Sequence, residues 1–501
     1  MNKVRYILLL CLLSCSAWVS AQTFGDIRRS SFWQDSRNVA GIRQDSLSRS
    51  YTEVYGQYEE GDFRDTWQAS RKWSAGAVTE SILHFDRISL TGSFSFDQTE
   101  GYGMCGSMFI KPGYFPIDVL EFTPGRKTLQ TYAFEGGIAY SVNDSWTIGA
   151  RMDFESSNMA KMKDLRHANS RLDMTVVPGL MFRCGGWALG FSPLFRKVSE
   201  TIDAEQVGTA ESSYYAFLDK GLMYGVYQVW TGSGVHLQES GVNGLPVREY
   251  SYGAAVQVQY GNIYADFELL RTSGAAGEKE YIWFEFPGIS MGADIRYRWV
   301  RDSAENNLRL HFDWKRQDMD ENVLEKISHN GVTTVLDHGS NRIFSRSSVN
   351  LSPEYEHIHK VMEFRAGLSF TLNNGISSQV YPYICTQTLT DASVYAELVF
   401  HHGRFDWGVK GMYLKGWVSE TDRLASGDTG VQSAPYRLQD WYELHMEYMT
   451  AARFCSHLMV RYNFRNGMYV GADLESVKAF DLKVMTGSDR FSASLKLGYD
   501  F

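Results

Sequence analysis

The sequence predicts an all-β fold: a transmembrane antiparallel β-barrel of about 18 strands, with roughly 16 to 22 allowed and an even number expected. Three observations predict it. Segment after segment alternates apolar and polar residues with period two, bounded by Gly, Asn and Asp. No stretch after Ala21 is apolar for the roughly 20 residues a membrane helix needs. The last twelve residues, Arg490 to Phe501, put Phe491, Ala493, Leu495, Leu497, Tyr499 and Phe501 on one face. Lipid tolerates only helices and closed barrels, because both satisfy every backbone polar group internally. Without a spanning helix, the barrel is what this pattern permits.

Met1 to Arg5 carries Lys3 and Arg5, Tyr6 to Leu13 is apolar, and Val19-Ser20-Ala21 precedes Gln22. That order predicts a signal peptide over 1–21. Leu12-Leu13-Ser14-Cys15 is the competing lipobox reading, weakened by the apolar residues after Cys15. Losing Lys3 and Arg5 takes the formal charge from −9 to −11. An acidic chain without a basic cluster argues against nucleic acid as a partner. Cys105, Cys184, Cys385 and Cys455 survive cleavage, are far apart and form no zinc spacing. We read them as isolated small apolar residues.

Alternating runs flank short turns throughout. Tyr132 to Val142 and Trp146 to Phe154 surround Asn143-Asp144-Ser145. Leu172 to Phe182 and Trp187 to Phe195 surround Cys184-Gly185-Gly186. Tyr250 to Tyr260 and Ile263 to Leu269 surround Gly261-Asn262, and Val394 to Phe400 and Phe405 to Tyr413 surround His402-Gly403-Arg404. These are hairpin signatures. A soluble sandwich also alternates, but its strands are usually 5–6 residues, whereas tilted membrane strands run about 9–11. Trp146, Trp187, Trp299, Trp314, Phe405 and Tyr413 sit at segment ends, where interfacial girdles belong. Longer polar stretches at Ser156 to Ser170, Lys197 to Lys220, Gln317 to Asn341 and Val418 to Arg437 predict long loops on the opposite rim. Counting strands backwards from Phe501 gives the wrong direction near Trp441 to Phe464. A strand is therefore miscounted, within Val418 to Leu438 or Gly221 to Val235.

The polar parity carries charges of both signs, which a barrel turns into its lumen. Asp294, Arg296, Arg298, Arg309, His311, Asp313 and Lys315 cluster on one hairpin and predict a local constriction, with plain ion pairing of the filled barrel as the blander reading. Glu443, His445 and Glu447 are assigned to the lumen as well, on a strand. Gly149, Gly179, Gly190, Gly253, Gly292, Gly367 and Gly408 share the inward face and leave room for a filler segment, a solute or larger side chains. The domain plan is thus a signal peptide (1–21), an N-terminal periplasmic or plug segment (22–50) and a transmembrane barrel (51–501).

Three resemblances add to this. The terminal strand, with Leu497, Tyr499 and Phe501, resembles the C-terminal signal that outer-membrane barrels present to their insertion machinery. Asn38-Val39-Ala40-Gly41-Ile42 resembles the Asn-Pro-Ala-Gly-Leu hatch of fatty-acid-transporter-like barrels, with Val39 replacing proline. Gln57-Tyr58-Glu59-Glu60-Gly61-Asp62-Phe63, Lys161-Met162-Lys163-Asp164-Leu165-Arg166 and Val177-Pro178-Gly179-Leu180, followed by Trp187 and Gly190, resemble an uncharacterised outer-membrane β-barrel family of Bacteroidota. That resemblance implies a bacterial outer-membrane location, porin- or transporter-type architecture and a role as accessory to a nutrient-uptake receptor. It implies no catalytic residues.

Function classes follow. An energy-coupled receptor carries a globular plug and a 22-stranded wall; Gln22 to Ser50 is too short for that plug. A membrane hydrolase needs nucleophile, base and orienting group in reach. His445 with its two glutamates offers a base, but Ser456 and His457 fall on opposite parities. His357-Ile358-His359 could share a face and chelate, whereas His401-His402 point apart; no metal or cofactor is assigned. The expectation is a transport-class barrel in outer-membrane lipid, with an interaction scaffold and a hydrolase as alternatives.

Overall fold

The computed structural model describes residues 31–45, 47–205, 215–222, 227–231, 242–243, 245–278, 281–329, 332–378, 384–421 and 438–501. The signal peptide and lipobox assignments lie outside the described residues. The wall begins with β1 (Arg49–Gly61), β2 (Arg71–His84), β3 (Ile88–Ser107), β4 (Asp118–Ser141), β5 (Trp146–Lys161), β6 (Arg166–Cys184) and β7 (Trp187–Glu205). Three short strands follow in a loop: β8 (Tyr215–Asp219), β9 (Tyr227–Thr231) and β10 (Val242–Asn243). The wall resumes with β11 (Val247–Tyr260), β12 (Ile263–Glu278), β13 (Tyr281–Arg301), β14 (Ala304–His329) and β15 (Val332–His359). It continues through β16 (Met362–Ser377), β17 (Cys385–His402) and β18 (Phe405–Thr421), then β19 (Ala452–Asn463), β20 (Met468–Phe480) and β21 (Asp489–Asp500).

Wall neighbours pair antiparallel, and β1 pairs β21 from Tyr51↔Asp500 to Gly61↔Arg490. The sheet therefore closes into an 18-stranded barrel. Period two explains the wall: Phe134, Ile138, Tyr140, Phe191, Phe195, Leu495 and Leu497 are exposed on the outer face. Short turns collect at one rim. Gly185, Gly261 and Gly403 have φ of 58°, 54° and 64° there, the left-handed geometry that tight hairpins favour. Ring pairs mark the same rim, including Trp146–Phe182 at 4.6 Å, Trp187–Tyr260 at 4.5 Å and Phe405–Tyr462 at 4.8 Å.

The direction conflict resolves not within Val418 to Leu438 or Gly221 to Val235, most of which lies outside the described residues, but just beyond the first of them, where a helix stands in place of the expected strand. Residues Leu438–Thr450 form α1, which lies beside β18 at the long-loop rim. Glu443, His445 and Glu447 are thus corrected from a strand to a helix, where alternate residues do not share a face. Removing this one element restores the direction of β19 to β21.

Inside the wall a repeated device appears. Tyr55, Tyr395 and Tyr469 each stand directly opposite a glycine on the next strand: Gly76, Gly367 and Gly498. A Cβ at Gly76 or Gly367 would come within 2.5 Å of its tyrosine ring. Each hydroxyl then donates to a carboxylate one strand further on: Tyr55 to Asp97 at 2.6 Å, Tyr469 to Glu53 at 2.8 Å, and Tyr395 to Glu354. Register places these carboxylates beside the same glycines. One of the three rows, Tyr469–Gly498–Glu53, crosses the closing seam.

Candidate functional site

The site is the lumen, and three groups of residues partition it. Residues 31–45 enter at the short-turn rim. Val39–Gln44 form a single 3-10 helix, N-capped by Asn38, whose Oδ1 accepts from the Ala40 N–H at 3.1 Å. Asn38 is fully buried; its Nδ2 donates to Leu180 O and Gln257 Oε1, both at 3.0 Å. The wall is hollowed to receive it. A Cβ at Gly149 would come within 2.7 Å of Val39 Cγ1, one at Gly190 within 2.7 Å of Asn38 Nδ2, and one at Gly179 would overlap Asn38 Oδ1. Trp33 is 1% exposed, packs edge-on to Tyr264 and donates to Gln259 Oε1 at 2.5 Å. Arg43 clasps the β2–β3 turn, donating to Asp86 O at 2.7 Å, Phe85 O at 3.0 Å and Ser89 Oγ at 3.0 Å.

The predicted charged hairpin faces this segment. Arg296 pairs with Asp294 at 2.5 Å and with Asp35 at 3.2 Å, and Arg309 reaches Asp294 at 2.6 Å. His311 bridges Asp294 and Asp313 at 3.4 and 2.5 Å. Arg298 lies 4.3 Å over the Phe32 ring and pairs with Glu305. A cleft of about 160 Å³ opens between Asp35, Ser36 and Arg37 on one side and Tyr264, Asp266, Glu268, Asp294, Arg309 and Asp313 on the other. A second cleft of about 210 Å³ shares Arg309 and His311 and continues along Ser352, Glu354, Ser369 and Tyr395. Lys315 is not part of this group. It points at Tyr114, 5.4 Å from the ring centroid.

Tyr114 belongs to 108–117, which fold inward from the long-loop rim. Tyr114 donates to Glu249 at 2.8 Å, Ile110 N to Glu200 at 2.7 Å, and Arg346 to the Gly113 carbonyl at 2.7 Å. Met108, Phe109, Phe115 and Ile117 join Leu218, Leu245, Phe284, Phe286, Met319 and Phe344 in an apolar core within the barrel. This inward loop was not visible in the sequence; its partners lie on β7, β11 and β15, too far along the chain for a local pattern. α1 closes another part of the same rim. His445 bonds buried Asp65 at 2.7 Å, Trp441 stacks on Phe122 at 4.8 Å, and Glu447 accepts from the N–H groups of Lys483, Val484 and Met485.

Near this rim the outward row of β4 has already turned polar at Gln130, Thr128 and Arg126, so Lys127, Lys161 and His167 stand beyond the lipid band. Lys161 contacts Glu121 at 2.5 Å, both with fully buried side chains. Burial pushes the Lys127 and Lys161 ammonium pKa values down, and burial beside them holds the His167 imidazole well below its usual value.

The remaining sequence-predicted residues fall as follows. Leu497, Tyr499 and Phe501 are exposed on the outer face of β21's end, Tyr499 stacked on Phe501. His457 faces inward to Asp473 at 3.2 Å, with Ser456 on the opposite parity. His357 bonds Asn306, and among the described residues no three metal-type side chains gather. Among the described residues Cys105, Cys184 and Cys455 are free thiols.

Closed wall, filled lumen and apolar belt define a membrane β-barrel whose interior is occupied by its own chain. The chain belongs to DUF6850, a family of unknown function, whose model matches residues 39–501 and so includes the 3-10 helix. No curated protein matches. Solved structures with similar architecture include the outer membrane transporter YddB from Escherichia coli (7% identity, TM-score 0.44, covering 90% of this chain and 81% of that one). They also include BauA, the ferric preacinetobactin receptor from Acinetobacter baumannii (9%, 0.41, 91% and 80%), and the outer membrane protein opdK from Pseudomonas aeruginosa (8%, 0.36, 91% and 99%).

Proposed function

We propose that the chain is a transport-class outer-membrane barrel that passes or hands over a solute through a lumen gated by residues 31–45. It would reach outer-membrane lipid by way of the barrel-insertion machinery and serve alone or beside a nutrient-uptake receptor. One observation carries this reading: four inward glycines, Gly137, Gly149, Gly179 and Gly190, give up wall volume to seat a short segment held by side-chain contacts. A purely structural filler needs no such cradle, because larger wall side chains would fill the space with less ordering entropy. Charged rows then line the path as a hydrogen-bonding field, not as catalysts.

The test is conductance in planar bilayers. Wild type gives low, intermittent current. Gly179→Val, whose side chain displaces Asn38, gives a larger steady current. Equal silence in both favours the second reading, a closed scaffold that docks a partner through the rim covered by α1 and 108–117.

A further inference from the structure

We propose that the lumen admits cationic solutes, those bearing an ammonium or guanidinium group, in preference to anions; this rests on the passage reading above. The observation is how the inward charges are partnered. Glu53, Asp97, Glu354 and Asp266 lie on β1, β3, β15 and β12, well spread around the wall. Each is held by neutral donors. Tyr469 donates to Glu53 at 2.8 Å. Tyr55 and Thr99 donate to Asp97 at 2.6 and 2.9 Å. Tyr395 donates to Glu354. Gln257, Tyr264 and Ser36 donate to Asp266 at 3.1, 3.3 and 3.4 Å. Among the described residues none of the four forms an ion pair within 4.0 Å.

The inward cations are differently placed. Arg37 is spent on Glu268 at 2.8 Å, Arg296 on Asp35 and Asp294, and Arg309 on Asp294. Arg365 serves Glu356, Glu363 and Glu397, and Arg461 serves Asp500. Lys410 and Lys315 sit over the rings of Tyr395 and Tyr114, at 4.6 and 5.4 Å. An ion pair leaves only a dipole facing the lumen, while a carboxylate bonded to phenols, hydroxyls and amides keeps its full charge. Lys410, Lys315 and Arg346 keep their charge too, but Arg365 is shared by three glutamates and Arg151 by Glu135 and Asp153, so the residual field along the path is negative. In a passage walled by low-dielectric protein such a field concentrates cations and repels anions. The tyrosine–glycine rows fix Glu53 at the seam, Asp97 two strands on and Glu354 across the wall, and the cleft beside Asp35 places Asp266 against the gate.

The experiment measures entry of three probes of similar size into liposomes: argininamide, glutamate and neutral arabinose. Wild type and Gly179→Val are each reconstituted. The expected result is argininamide entering several-fold faster than glutamate through whichever protein conducts. Combining Glu53→Gln, Asp97→Asn, Asp266→Asn and Glu354→Gln brings that ratio close to one, and Asp266→Asn alone moves it part of the way. Arabinose entry with glutamate as fast as argininamide overturns the charge preference and leaves the passage reading standing. No entry of any probe through either protein overturns the passage reading, and this preference falls with it.

Discussion

Tyr469 lies across Gly498, the residue directly opposite it on β21, and its hydroxyl reaches Glu53 on β1 beyond. One side chain thus ties three strands at the seam where the barrel closes. Gly498→Val removes the floor on which the ring rests. The expected cost is about 1–3 kcal/mol, as for other overpacked sites. Tyr469→Phe loses only the hydroxyl bond, about 1 kcal/mol. Urea unfolding in detergent micelles, followed by the gel-mobility change of the folded barrel, measures both. A smaller effect from valine than from phenylalanine would contradict the arrangement.

Asn38 makes a cap and two bonds to the wall from a fully buried position. Asn38→Ala leaves Gln257 and the Ala40 N–H short of a partner. The cost is about 1–2 kcal/mol, falling on the segment and not on the barrel. Hydrogen exchange at 39–44 rises, while protection of β4 to β7 is unchanged. Loss of protection throughout the wall would mean the segment is integral to the fold and not a gate.

How much of this was readable? Alternation gave the wall, because lipid on one side and a polar lumen on the other force opposite parities; Asp294, Arg296, Arg298, Arg309, His311 and Asp313 all lie on the inner face of β13 and β14. The inward glycines were noticed as room for a filler, and the structure places Asn38 and Val39 there. α1 was missed because Tyr442, Leu444, Met446 and Tyr448 mimic a strand. The helical signals were present: Asp440 in the first turn, Tyr442, His445, Met446 and Met449 at helical spacing, and no β-branched residue before Thr450. Lys315 was grouped with the wrong partners because its ring, Tyr114, comes from a loop two hundred residues earlier in the chain, roughly, and loop folding leaves no periodic trace.

Lys161 and Glu121 form a fully buried pair above the lipid band. Lys161→Met leaves the Glu121 carboxylate with Lys127 at 4.0 Å and the two Thr123 donors, and costs about 3 kcal/mol, while adding both Lys127→Met and Glu121→Gln removes every charge of the cluster and recovers most of it. Thermal unfolding in micelles gives the comparison. If the triple variant is no more stable than the single one, the ion cluster is not the reason for the burial.

His167 adds a pH dependence. Its folded pKa is depressed, so the unfolded state binds the proton more readily. Stability is therefore complete above the unfolded value, about 6.5, and is lost as pH falls below it. Proteolysis of the long-loop rim accelerates between neutral and mildly acid pH in wild type. In His167→Asn that acceleration is reduced, and an unchanged acid response would assign it to other groups.

The account turns on residues 31–45 blocking the path. Deleting them and comparing steady single-channel current with that of the intact chain, under the same salt, tests this directly. A large, sustained current from the deletion against a nearly silent wild type is the predicted outcome. Identical currents from two equally well-folded barrels would contradict it.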